Sequence, residues 1–109
     1  MKPIFKKSNH VALLMKDFDF ASKFYSKVLQ LPIQNTSENE IEFRTGDSCF
    51  YVIRDKSQST TVLEFIIDDL ECAKNHLLDN GCKIVKWEGK GKDCYMKDPF
   101  GLTFNLWEE

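Results

Sequence analysis

Along residues 9–15 apolar and polar positions alternate. Val11, Leu13 and Met15 point one way, and His10, Ala12 and Leu14 the other, as in a strand. Asp17 follows, placed to cap a helix over about 18–29 whose apolar stripe is Ala21, Phe24, Tyr25, Val28 and Leu29. Pro32 closes that helix. Residues 40–44 alternate again, with Ile41 and Phe43 on one face. Thr45-Gly46-Asp47 is a turn, and Cys49 to Ile53 is a continuous apolar strand. The pattern then restarts. Residues 61–67 form a strand, Asp69 caps a helix lined by Leu70, Ala73 and Leu77, and Asn80-Gly81 ends it. Strands over 83–87, 94–96 and 102–107 follow, the last after a tight turn at Asp98-Pro99-Phe100-Gly101. Each copy reads as strand, helix, then two or three strands. The second strand of the first copy has no clear place between Leu31 and Glu38.

The repetition is the strongest signal in the chain. Both apolar runs meet an aspartate, Asp17 or Asp69, and both helices carry an alanine four positions later, Ala21 or Ala73. An internal repeat implies two copies of one supersecondary unit. We read residues 1–109 as a single domain, with module one at about 1–54, a polar linker at 55–60 and module two at about 61–109. One core serves a chain of this length.

Composition narrows the partners. The net charge is −2 and the 15 basic residues are spread along the chain, which argues against nucleic acid. No apolar run approaches the roughly 20 residues of a membrane span, so no membrane partner is expected. The basic, polar start lacks the apolar stretch of a secretory signal, and a cytoplasmic location is expected. Cys49, Cys72, Cys82 and Cys94 are separated by 23, 10 and 12 residues, without a CxxC pair, and read as free thiols. Gly89-Lys90-Gly91 lacks the spacing of a phosphate loop. Cys72 and His76 have the helical spacing of two zinc ligands but no second pair. Pairing Cys94 with His10 as nucleophile and base lacks an orienting third group.

His10-Val11-Ala12-Leu13-Leu14, Asp17, Ala21, Phe24-Tyr25, Val28-Leu29 and Leu31-Pro32 together resemble the first module of the vicinal oxygen chelate superfamily. That group includes glyoxalase I, fosfomycin- and bleomycin-resistance proteins and extradiol dioxygenases. Phe65, Ile67, Asp69, Ala73, Leu77 and Gly81 resemble the second module. Asp98-Pro99-Phe100-Gly101 with Phe104 and Leu106 resembles the closing hairpin. The resemblance spans essentially the whole chain. It implies an α+β fold of two βαβββ modules, glyoxalase/bleomycin-resistance-like, whose curved sheet surrounds a cleft, and it implies a homodimer.

In metal-dependent members, the resemblance places ligands on the first and last strand of each module. His10, seven before Asp17, matches the first. Val62, seven before Asp69, cannot ligate. Asn105, seven after Asp98, offers a weak neutral amide, and aligning Gly46 with Gly101 puts Phe50 at the fourth position. One imidazole and one amide remain where such metals need several converging donors. We therefore expect a degenerate site with no metal, no cofactor and no catalytic residue. Glu64 shares strand parity with Val62. It either completes a shifted site with His10 and Asn105, hydrogen-bonds a ligand, or faces solvent.

The same parity assigns His10, Phe50, Val62, Glu64, Asn105 and Trp107 to a largely apolar cleft, as in a small-molecule pocket. Phe50 and Trp107 would stack on a planar ligand. The leading expectation is a small-molecule-binding protein of bleomycin-resistance type. The alternatives are a divalent-metal lyase or transferase similar to glyoxalase I, which is disfavoured by the missing donors, and a partner-binding module with a filled cleft.

Overall fold

A computed structural model describes residues 3–109. The described residues form eight strands and two α-helices: β1 (Phe5–Met15), α1 (Phe18–Lys23), β2 (Ile33–Thr36), β3 (Glu40–Thr45), β4 (Ser48–Arg54), β5 (Thr60–Ile67), α2 (Leu70–Asp79), β6 (Lys83–Trp87), β7 (Cys94–Lys97) and β8 (Thr103–Glu108). Contacts divide it into two compact units. The first is residues 9–62. The second is residues 63–109 with the stretch that ends at Ser8.

In the first unit the strand order is β2-β3-β4-β1, with β1 parallel to β4 and the other neighbours antiparallel. In the second the order is β6-β7-β8-β5, with β5 parallel to β8 and the rest antiparallel. Each unit thus builds the same βαβββ sheet. The fold is α+β, as the resemblance implies.

The repeat has a physical basis in the caps. Asp17 Oδ1 accepts from the Phe20 N–H at 3.1 Å, and Asp69 Oδ1 from the Cys72 N–H at 2.9 Å. Each aspartate satisfies one of the orphan donors of a helix start. Four residues on, Ala21 and Ala73 are 4% and 0% exposed. A methyl group lets each helix lie close on its sheet, which a larger side chain would prevent.

Each unit has its own core, between helix and sheet. In the first it is Phe18, Ala21, Phe43 and Val52, with Met15, Tyr25 and Phe50 packed against it. In the second it is Ile67, Leu70, Ala73, Cys82, Cys94, Met96, Phe104 and Leu106, with Phe5, Phe65, Leu77 and Trp87 against it.

Three elements differ from the sequence reading. β1 begins at Phe5, four residues before the alternation over 9–15. The α-helical hydrogen bonds of the first helix stop at Lys23, and Phe24–Val28 continue as a π-helical turn, with the Leu29 N–H on the Phe24 carbonyl at 3.0 Å. β2 occupies Ile33–Thr36, where no strand was placed. All four of its residues are exposed at the edge of the sheet, so no alternation marks it.

Candidate functional site

The helix-free face of the first unit is set by register. β1 and β4 pair as His10↔Cys49, Ala12↔Tyr51 and Leu14↔Ile53. β3 and β4 pair as Arg44↔Cys49 and Glu42↔Tyr51. Residues in register on neighbouring strands project to one face. One row therefore crosses three strands as Arg44, Cys49, His10, and the next as Glu42, Tyr51, Ala12.

These side chains meet. The Tyr51 hydroxyl lies 3.1 Å from His10 Nδ1. The two rings stack at 5.7 Å between centroids and 23° between planes. An Arg44 guanidinium N–H points at Cys49 Sγ, 3.8 Å away. Burial, then the Glu42 carboxylate, push the Tyr51 phenol well above its ordinary value. Tyr51 therefore keeps its proton at neutral pH. Its hydroxyl can donate to His10 Nδ1 in the tautomer that leaves that nitrogen without a proton.

Phe50 is a correction to the sequence reading. It lies on the opposite, helix-side face, 5.2 Å from the Tyr25 ring and 6.1 Å from Phe43 between centroids. Its place on the helix-free face is taken by Tyr51. The uniformly apolar run Cys49 to Ile53 hides its own parity. The signal was nonetheless available. Ile41 and Phe43 face the core, so Glu42 faces away, and the two-residue Gly46-Asp47 loop fixes Tyr51 opposite Glu42.

In the second unit Glu64 and Asn105 are register partners. The Asn105 Nδ2 amide donates to Glu64 Oε2 at 3.1 Å, and Asn105 Oδ1 accepts from the Cys94 N–H at 2.9 Å. Both ends of the amide are thus engaged inside its own sheet. Trp107 lies two residues on, 38% exposed, on the face opposite the core residues Phe104 and Leu106. Val62 is 2% exposed and offers little surface. Cys94 belongs to the core, with its thiol on the Gly89 carbonyl at 3.2 Å and pushed up by burial. It is not a nucleophile of the accessible, electropositive kind.

The register also aligns the two modules. Five residues before the cap, Ala12 faces Tyr51 in one sheet, and Glu64 faces Asn105 in the other. Tyr51 is therefore the counterpart of Asn105.

A scan against protein-family models and a search of curated proteins find no match. Solved structures do match. Homoprotocatechuate 2,3-dioxygenase from Brevibacterium fuscum, in complex with 3,4-dihydroxyphenylacetate, superimposes with a TM-score of 0.71 at 18% identity, over 99% of this chain and 38% of that one. An Mn(II)-bound glyoxalase from Novosphingobium aromaticivorans gives 0.68 at 18% identity, over 97% and 40%. A protein described as an NAD-dependent benzaldehyde dehydrogenase from Legionella pneumophila gives 0.67 at 14% identity, over 91% and 96%. The chain spans under two-fifths of the length of the dioxygenases. Together the dioxygenases and the glyoxalase define the fold as that of the vicinal oxygen chelate superfamily.

The glyoxalase neighbour of this fold is Mn(II)-bound, and the matching donors of this chain make the following contacts. His10 Nδ1 faces a tyrosine that holds its proton. Asn105 Oδ1 is engaged by a backbone N–H, and the Glu64 carboxylate by an amide. Among the described residues no three His, Cys, Asp or Glu side chains are grouped to hold an ion. A divalent cation needs several N or O donors aimed at one point.

Proposed function

We propose that this chain is a small-molecule-binding protein on the vicinal oxygen chelate fold, with its ancestral metal positions converted to hydrogen-bonding side chains. The ligand rests on the helix-free face of the first unit, where the Tyr51–His10 pair presents stacked rings and Arg44 a cation. A planar, largely apolar molecule with one polar or anionic edge suits that surface, by stacking and by charge-assisted hydrogen bonding. Bleomycin-resistance-like sequestration, in a homodimer, is the biological form this takes.

The observation that supports the reading best is the 3.1 Å contact between Tyr51 and His10. It ties up one imidazole nitrogen at a family ligand position and builds an aromatic platform in its place. No helix among the described residues is long and apolar enough to cross a membrane.

The test uses full-length protein purified without chelators or affinity tag. Elemental analysis and calorimetric titration with nickel, zinc, manganese and cobalt are expected to show no stoichiometric metal. Titration with 8-anilinonaphthalene-1-sulfonate, a planar anionic dye, is expected to saturate, with affinity reduced about tenfold in Arg44→Ala, the size of one lost charge-assisted bond. One metal per chain, lost in His10→Ala, would overturn the reading in favour of a metal-dependent lyase or transferase. A flat dye titration alongside a stable hetero-complex would overturn it in favour of a partner-binding module.

A further inference from the structure

The second unit contains a pocket of about 300 Å³ on the helix side of its sheet, lined by Phe5, Phe65, Leu77, Cys82, Asp98 and Phe104. Its walls come from β1, β5, α2, β8 and the loops after α2 and β7. Phe65 and Phe104 meet edge to face at 5.5 Å between centroids, at 83°. The lining is apolar but for one carboxylate. Asp98 uses Oδ1 to hold the N–H groups of Phe100 and Leu102, each at 2.9 Å, so the turn fixes that carboxylate in place at the pocket.

Size limits the occupant. A cavity of about 150 Å³ holds a benzene, and ligand pockets begin near 300 Å³, so this one suits a single ring with a short chain. Charge limits it further. A carboxylate beside three phenyl rings lacks a counter-charge within the lining, and an ammonium supplies one. Aromatic rings also accept a cation at their faces. The Cys82 thiol is pushed up, by burial first and the Asp98 charge second, and so adds no competing negative charge. Neutral and anionic molecules gain the apolar contacts without the ion pair, or against a like charge.

We infer that this pocket is a binding site for a monocyclic aromatic amine, its ring among Phe5, Phe65 and Phe104 and its ammonium on Asp98. The inference is independent of the ligand proposed for the first unit.

The experiment titrates 2-phenylethylamine into the ¹⁵N-labelled full chain, with 2-phenylethanol and phenylacetate as comparison probes. The amine is expected to give saturable amide shifts at Phe65, Leu77, Cys82 and Phe104, with about tenfold higher affinity than the alcohol and no saturation by the acid. Asp98→Asn keeps an oxygen for the Phe100 and Leu102 N–H groups, and should bring amine and alcohol to equal affinity. Leu77→Trp fills the pocket and should abolish both. Equal binding of all three probes to the wild type would overturn the inference, as would shifts that map elsewhere or an amine affinity unchanged in Leu77→Trp. These wild-type and Leu77→Trp arms decide the matter even if Asp98→Asn does not fold.

Discussion

Gln30 holds the left-handed conformation, with φ at 56°, and is the one non-glycine residue with positive φ among those described. It sits just past the π-helical turn, where a chain leaving a helix commonly takes glycine. A β-carbon there costs about 1–2 kcal/mol, partly offset by the greater freedom that glycine gives the unfolded chain. Gln30→Gly is therefore expected to stabilise the protein by about 0.5–1 kcal/mol, seen as a higher urea midpoint at unchanged slope. A lower midpoint would mean that the glutamine side chain contributes more than its backbone costs. At this scale the caps were legible in the sequence, because Asp17 and Asp69 act on donors only three residues away. Tyr51 was not, because its face depends on pairing with β3 and β1 rather than on its neighbours in the chain.

At the start of α2, three elements converge on one side chain. Glu108, near the end of β8, accepts from the Leu70 N–H at 2.7 Å with one oxygen and pairs with Lys90 Nζ at 2.7 Å with the other. The Lys90 hydrogen bond first, then the Leu70 N–H, hold the Glu108 carboxyl below its ordinary value of 4.5. A depressed carboxyl contributes stability above its unfolded value, and that contribution is lost as pH falls through the folded value. Glu108→Gln should thus lower the urea midpoint at pH 7, with the gap from wild type closing from about pH 5 downward. A gap independent of pH would assign the effect to packing instead. Element boundaries were readable wherever burial alternated. β2, exposed along its whole length, gave the sequence no such pattern, and it pairs with β3 at the edge of the sheet.

At the level of the molecule, the division of the chain departs from the modular reading. The stretch ending at Ser8 groups with residues 63–109, not with the rest of module one. Phe5 carries that connection, packing against the Ile67–Leu106 core and facing the His76 ring at 6.3 Å. Phe5→Ala removes a partly buried ring, at a cost of about 1–3 kcal/mol, below the range for a fully buried phenylalanine. Amide exchange should quicken at Phe104 and Leu106 in β8 and stay unchanged at Ile41 and Phe43 in β3. Uniform quickening would show instead that the chain opens as one cooperative body. Neither this grouping nor the apolar pocket was visible in the sequence, since both are made by residues far apart in the chain.

Three of the four thiols are buried, and Cys72 on α2 is the exception. A maleimide dye or spin label therefore has one preferred attachment point on the native chain. That point lies on the helix whose Leu77 lines the apolar pocket. Spectroscopic reporting on α2 then needs no engineered cysteine.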